Sequence, residues 1–329
     1  WLFMTVKQQI KLLFENRRGE YISGEELAQT LNVSRAAIWK AVKSLKDEGY
    51  AIAAATNKGY MLSKDSDMLS AEAISSFLEQ SDFPLKIEVY KSVVSTNSIA
   101  KERASQNEAE GLVILAENQT AGKGRMGRSF YSPASSGIYM SILLRPKPPM
   151  VEAIKLTTAA AVAVSRAIEK LSDKKPQIKW VNDIYIGGKK VCGILTEGAV
   201  SMESGDLEYA VLGIGINVFD PQDGFPNEIE NIANSVFGKK RASLRNELVA
   251  ETLNQFIKIY SDIGNDDYYN EYKKRSFVIG KEINVIKGKL SDTATVLDID
   301  EGCRLKVRFS DGCEQYLSSG EISIRMPEK

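Results

Sequence analysis

Apolar side chains recur at helical spacing through the first fifty residues. Val6, Ile10, Leu13 and Phe14 predict a helix that stops at Arg17-Arg18-Gly19. Ile22 to Leu31 predicts a second, begun near Ser23, and Asn32-Val33-Ser34 a tight turn with Ser34 as N-cap. A third runs from Arg35 to about Asp47, with Ile38, Val42 and Leu45 on one face, Ala36, Lys40 and Lys43 opposite, and Trp39 at the flank. Helix, three-residue turn and a helix with a small, basic outer face is the helix-turn-helix arrangement, whose second helix enters the DNA major groove. Gly49 to Ile52 and Gly59 to Leu62, joined through Asn57-Lys58, predict a hairpin that forms a wing. In this reading Ser34, Arg35, Ala36, Trp39, Lys40 and Lys43 lie near the groove and Lys58 near a phosphate. A small helical interaction module with a hairpin is the competing reading.

The pattern then changes. Lys64-Asp65-Ser66-Asp67 reads as a polar linker and Ser70 as the entry to a further helix. Ile87 to Tyr90, Leu112 to Ala116 and Gly137 to Leu144 predict strands, the last ended at Pro146. Ser95-Thr96-Asn97 precedes a helical run from Ser98 to Ala104, which gathers hydroxyls and N–H groups at a helix N-terminus; plain capping explains them equally well. Ala153 to Leu171 predicts a long buried helix. Ile178 to Val181 predicts a strand ending in Asn182-Asp183, which Gly187-Gly188 turns into Lys190 to Glu197. Tyr209 to Val218 predicts another, where Gly213 and Gly215 leave room for a ligand. Mixed strands with helices to one side indicate an α+β domain.

Residues 244–275 read as helical. Beyond Phe277, Glu282 to Ile286, Ala294 to Asp300, Arg304 to Phe309 and Glu321 to Ile324 predict short strands, with hairpins at Asp300-Glu301-Gly302 and Ser310-Asp311-Gly312. The expected organisation is α+β: a winged helix-turn-helix over 1–64, a catalytic domain with a mixed sheet over 65–276, and a small SH3-like β-barrel over 277–329.

Composition narrows the chemistry. The chain of 329 residues has no histidine, which removes Ser-His-Asp and Cys-His nucleophiles and H-E-x-x-H metal sites. Cys192, Cys303 and Cys313 lack C-x-x-C spacing, so neither a disulfide framework nor a zinc site is expected, and no metal held by protein side chains. No apolar run reaches membrane-spanning length, and Trp1-Leu2-Phe3 is too short for a signal peptide; a cytoplasmic protein that avoids membranes is expected. Net charge is zero, yet residues 1–64 carry ten Lys and Arg against six Asp and Glu, a modest basic bias that suits DNA.

The densest chemistry lies in Gly122-Lys123-Gly124-Arg125-Met126-Gly127-Arg128, three glycines and three cations in seven residues. Glycine lets backbone N–H groups approach an anion closely, and the cations supply charge-assisted hydrogen bonds. The match to G-x-G-x-x-G is not a dinucleotide fingerprint, because Ser129 to Gly137 cannot form the helix that motif requires. A kinase loop also fails, since its catalytic loop needs histidine.

Gln119 to Arg128, followed by Lys179-Trp180-Val181-Asn182-Asp183, Gly188 to Glu197 and Gly213-Ile214-Gly215-Ile216-Asn217, resembles the biotin protein ligases. With a DNA-binding module in front, the resemblance is to the bifunctional ligases that also repress the biotin operon. It covers nearly the whole chain. Three positions depart from the family: Lys123 where arginine is usual, Val181 where proline is usual, and Phe130 where tryptophan is frequent. Lysine keeps the charge of arginine but not its fork, which implies altered loop dynamics or affinity.

The resemblance implies biotin and Mg²⁺-ATP as substrates, biotinyl-5′-AMP as intermediate and corepressor, and a biotin carboxyl carrier protein as acceptor. It also implies an inverted-repeat operator and a homodimer. Lys190, Arg125 and Asp183 are the catalytic candidates, Asp183 having turn capping as its alternative role. For biotin the candidates are Ser95, Thr96, Asn97 and Gln119, then Gly122, Lys123, Gly124 and Arg125, with Lys190, Gly193, Gly213 and Gly215. For ATP and the adenylate they are Lys123, Arg125, Arg128, Phe130, Asn182, Lys190 and Asn217. The loop is expected to order on ligand binding. Competing readings are a biotin-sensing regulator without efficient transfer, a ligase whose front module binds no DNA, and a lipoate ligase, whose R-R-x-S-G-G-G motif is absent.

Overall fold

A computed structural model describes residues 4–146, 153–200, 207–263, 267–287, 290–318 and 323–325. The chain forms two compact units, residues 1–79 with 239–250, and residues 80–238 with 251–329.

The first unit begins with the three predicted helices, Val6–Asn16 (α1), Gly24–Leu31 (α2) and Arg35–Asp47 (α3). Each start is fixed by a side chain. Thr5 and Gln8 form a reciprocal capping box, Ser23 accepts from Glu26 N, and Ser34 accepts from Ala37 N. The inward stripe of Ile10, Phe14, Leu27, Ile38, Val42 and Leu45 is buried with Ile22 and Leu62. Each such side chain contributes about 1.5–3 kcal/mol. Ile52–Ala55 (β1) and Gly59–Leu62 (β2) pair as an antiparallel hairpin. The first wing strand starts later than expected, because Gly49 and Tyr50 donate back to Lys46 and Leu45 carbonyls and close α3.

The segment expected as a polar linker is packed. Ser66 is buried, the Asp67 side chain is only 7% exposed, and Asp67 accepts from Arg245 Nε at 2.5 Å. Ser70 caps Ala71–Ser75 (α4), and its own N–H donates to Asn246 Oδ1 at 3.1 Å.

In the second unit the chain runs Lys86–Tyr90 (β3), Thr96–Ser105 (α5), Leu112–Ala116 (β4), Gly137–Leu144 (β5) and Ala153–Leu171 (α6). Gln177–Lys179 (β6), Asp183–Ile186 (β7), Lys189–Val200 (β8) and Leu207–Asn217 (β9) complete a seven-stranded sheet in the order β3-β4-β5-β9-β8-β7-β6. It is mixed, with β3 and β4 parallel and the other pairs antiparallel.

Three expectations are corrected here. Thr96 and Asn97 belong to the first turn of α5 instead of preceding it. The strand expected over 178–183 is two strands, β6 and β7, antiparallel about a turn at Trp180-Val181-Asn182; the Trp180–Val181 peptide is cis. Helices cover both faces of the sheet. Neighbouring residues of β8 point to opposite faces, and Thr196 bonds Thr157 of α6 at 2.7 Å while Glu197 accepts from Asn97 of α5 at 2.9 Å.

The helical stretch expected over 244–275 is Leu244–Ser261 (α7) and Asp267–Arg275 (α8). Then Glu282–Lys287 (β10), Leu290–Ile299 (β11), Leu305–Phe309 (β12), Glu314–Leu317 (β13) and Ser323–Arg325 (β14) make an antiparallel sheet ordered β13-β12-β11-β10-β14. Both hairpins lie where expected; residues 321 and 322 of the last expected strand fall outside the described residues. Strand β13 escaped the pattern because, as an edge strand, it exposes Glu314, Gln315 and Tyr316.

Candidate functional site

Two adjoining cavities in the second unit share a wall made by Gly124, Arg125, Phe130, Asn182 and Lys190. The first, of about 470 Å³, reaches from this wall to Ser95, Thr96, Asn97 and Gln119 over a floor of Gly193, Gly213 and Gly215. The second, of about 740 Å³, runs outward past Arg128, Lys179, Trp180 and Asp183.

Polar groups at the inner end bond to one another. Asn97 Nδ2 donates to Glu197 at 2.9 Å, so Asn97 Oδ1 turns to Ser141, whose hydroxyl lies 2.6 Å away. Burial works against ionisation of Glu197, but donation from Asn97 and Lys101 outweighs it and holds the carboxyl below its ordinary range. Thr96 N–H donates to Gln119 Oε1 at 2.9 Å. The room expected above Gly213 and Gly215 is already filled. A Cβ on Gly213 would stand 2.2 Å from Asn97 Oδ1, and one on Gly215 would stand 2.6 Å from the Phe130 ring. Those glycines make space for protein side chains that face the cavity.

The shared wall is a cation array. Lys190 Nζ lies 2.7 Å from Asp183 Oδ1, Asn182 Nδ2 donates to Asp183 Oδ1 at 3.0 Å, and Arg125 Nη1 donates to Asn182 Oδ1 at 2.9 Å. Burial depresses the Arg125 pKa while the Asp183 charge opposes that shift. Arg125 comes from a short turn, Arg125–Gly127, that closes the glycine-rich loop. Lys190 is fixed through its main chain, which donates to Ile232 O at 2.8 Å and accepts from Asn234 N at 2.9 Å. The Trp180-Val181-Asn182 turn is anchored twice from below: Trp180 Nε1 donates to Cys303 O at 2.8 Å and the Tyr272 hydroxyl to Val181 O at 3.1 Å. Phe130 meets Tyr139 edge-on, ring centroids 6.4 Å apart.

Ser95, Thr96, Asn97, Gln119, Lys123, Gly124, Arg125, Phe130, Asn182, Lys190, Gly193, Gly213 and Gly215 therefore line the first cavity, and Arg128 and Asp183 the second. Gly122 and Asn217 line neither: Gly122 is packed under Phe130 O and Ser132, and Asn217 Nδ2 donates to Asn234 O at 3.1 Å. Sequence reasoning missed Ser132, Tyr139, Ser141, Glu197 and Tyr272. Glu197 closes the Gly188 to Glu197 stretch with no role read from it, the others sit in stretches that read as ordinary strand, helix or loop, and only folding brings them to the site.

The expected DNA face belongs to the first unit. Ser34, Arg35, Ala36, Trp39, Lys40, Lys43 and Lys58 are all exposed. Trp39 is 57% accessible and Lys43 Nζ lies 5.3 Å from its ring, so the aromatic belongs to the outer face with the lysines.

Residues 89–217 match the Biotin/lipoate A/B protein ligase family, 6–61 an HTH domain, and 278–325 the Biotin protein ligase C terminal domain. The bifunctional ligase/repressor BirA of Bacillus spizizenii is 41% identical over 96% of this chain and 98% of its own length. The chain belongs to the biotin protein ligase family. This ligase is also 29% identical to the bifunctional ligase/repressor BirA of Escherichia coli, over 97% of this chain and 98% of that one. Among solved structures, the biotin protein ligase of Aquifex aeolicus in complex with biotin and ATP superposes with a TM-score of 0.62. That match is 27% identical and covers 74% of this chain and 99% of the other. A biotin protein ligase with a helix-turn-helix domain in front is thus what the two units build.

Proposed function

We propose that this ligase activates biotin with ATP and transfers it to a lysine of a biotin carboxyl carrier protein, and that its winged helix represses biotin genes with biotinyl-5′-AMP as corepressor. One observation carries the enzymatic part: a polar-ended cavity and a cation-lined cavity meet at Arg125, Asn182 and Lys190. Biotin occupies the first, its ring system toward Ser95, Thr96, Asn97 and Gln119. The nucleotide occupies the second. Their reacting ends meet at the shared wall.

A biotin carboxylate oxygen attacks the α-phosphorus, the bond to the β-phosphate oxygen breaks, and pyrophosphate leaves. Two anions must approach for this, so Lys190 and Arg125 supply fixed positive charge, with Lys123 and Arg128 on the flanks and Phe130 as an aromatic wall. The carrier lysine's amine then attacks the acyl carbon, the bond to AMP breaks, and Asp183 accepts the amine's proton. Mg²⁺ enters with the phosphates of ATP. The chain's part in meeting those phosphates is the cation array.

Arg35, Trp39, Lys40 and Lys43 read the major groove and Lys58 meets a phosphate in the wing. The proposal includes a homodimer on an inverted-repeat operator, a cytoplasmic setting, and functional boundaries near residues 64 and 276. Among the described residues no helix is long and apolar enough to cross a membrane.

The test is incubation with biotin, Mg²⁺-ATP and a carrier domain, following carrier mass and pyrophosphate, beside Lys190→Ala. Gain of one biotin by the carrier, lost in the variant, is the expected result. Pyrophosphate without carrier modification would instead make the protein an adenylate-forming sensor.

A further inference from the structure

The Gln119 carboxamide is held at both ends, and one holder is a serine outside the motifs. Thr96 N–H donates to Gln119 Oε1 at 2.9 Å, and Gln119 Nε2 donates to Ser132 Oγ at 2.9 Å. The Ser132 hydroxyl lies 2.9 Å from Phe130 O, a carbonyl that can only accept. A serine has one proton. Since it goes to Phe130 O, Ser132 must accept from Gln119; together with the Thr96 N–H, which can only donate, this holds the amide with N–H₂ toward Ser132 and Oε1 toward Thr96. Ser132 is 5% exposed, so water does not substitute at its hydroxyl. It also packs on the glycine-rich loop: a Cβ on Gly122 would stand 2.6 Å from Ser132 Oγ and 2.5 Å from Phe130 O.

We propose that Ser132 is a positioning residue for biotin recognition, setting the orientation of the Gln119 carboxamide and tying it to the Phe130 end of the glycine-rich loop. This rests on the proposed placement of biotin at Thr96, Asn97 and Gln119. The amide flipped about its long axis would present a donor where the bound ring system needs an acceptor, and the reverse. Ser132 lines neither cavity; it bonds Gln119 side chain to side chain but reaches the second cavity only through the Phe130 main chain, so its effect falls more on biotin than on the nucleotide.

The experiment compares Ser132→Ala with Ser136→Ala. Ser136 is equally buried in the same segment and its hydroxyl donates to Pro133 O at 3.3 Å, but it bonds neither Gln119 nor Phe130. Biotin affinity is read by calorimetry, the KM for ATP by pyrophosphate release, and folding by thermal midpoint. One lost hydrogen bond corresponds to about a tenfold weaker biotin Kd in Ser132→Ala, with the KM for ATP changed by less than about twofold. Ser136→Ala keeps the parental biotin Kd even where its midpoint falls as far. Ser132→Cys, of similar volume but with weak donor and acceptor strength, falls between. Parental biotin affinity in Ser132→Ala, or equal loss of biotin and ATP binding, overturns the proposal. A parent protein that binds no biotin overturns the ligase reading itself, a different result from a parent that binds and a variant that binds equally well.

Discussion

Lys190 Nζ sits 2.7 Å from Asp183 Oδ1, across the β7–β8 hairpin and on the wall shared by the two cavities. The lysine therefore has a resident counter-ion that an arriving carboxylate and phosphate must compete with. Without the lysine, the Asp183 side chain, 21% exposed, keeps its bond from Asn182, so folding changes modestly. Removing its positive charge from the reacting centre is costlier. Lys190→Ala lowers the rate of pyrophosphate release by about 10²–10³-fold. Asp183→Asn preserves the bond from Asn182 but not a proton acceptor. It slows carrier modification more than adenylate formation; equal rates for parent and variant would leave Asp183 as a turn-capping residue only.

Glycines 213 and 215 test different ends of the site. Gly213→Ala drives its methyl into Asn97 and raises the KM for biotin, whereas Gly215→Ala displaces the Phe130 ring and raises the KM for ATP more. Asn97 is buried, so Gly213→Ala loses about 1–3 kcal/mol of stability as well, whereas the partly exposed Phe130 ring can give way in Gly215→Ala. Steady-state kinetics with each substrate varied in turn distinguishes them.

Acid stability reports the Glu197 contact. Its carboxyl titrates below the ordinary 4.5 in the folded protein, so the unfolded chain binds its proton first as pH falls. Its contribution is complete above the unfolded value and is lost as pH drops through the folded one. Glu271, held down by Arg166 and Arg275 against its own burial, behaves alike. Urea midpoints therefore decline below about pH 4.5. In Glu197→Gln the decline is shallower, and an unchanged slope would remove this carboxyl from the acid transition.

Thiol chemistry separates the three cysteines. Cys313 is exposed, while Cys192 and Cys303 are buried. Burial pushes the Cys192 thiol well above its ordinary range, and Cys303 Sγ lies 3.4 Å from the Thr158 hydroxyl. A thiol reagent modifies one cysteine in the native protein and all three in denaturant, which intact mass measures directly.

For the first unit, Lys43→Ala weakens operator binding and lowers the salt slope by about one phosphate contact. Trp39→Ala also weakens it and, with 57% of the residue accessible, leaves the melting of the unit within about 0.5 kcal/mol of the parent. Mobility shifts over a salt series give both values, and ligase activity stays at the parental level.

Local chemistry in the sequence determined much of this protein. The period of Val6, Ile10 and Phe14, the caps at Ser23 and Ser34, and the stripe of Ile38, Val42 and Leu45 depend on residues within a few turns of one another, so the helix-turn-helix was legible. The glycine-rich loop was legible too, because closely spaced glycine and cations reveal anion chemistry without a fold, whereas Lys190 was reached only through the resemblance to the biotin protein ligases. Only tertiary structure decided the rest. Ser132 stands 13 residues from Gln119, and Glu197 stands 100 from Asn97, so no local period connects them. The 178–183 stretch reads as one strand by composition, yet its turn is set by bonds from Tyr272 and to Cys303, far along the chain. Gly213 and Gly215 read as space for a ligand; folding places Asn97 and Phe130 there instead, because close packing fills any room a missing side chain leaves.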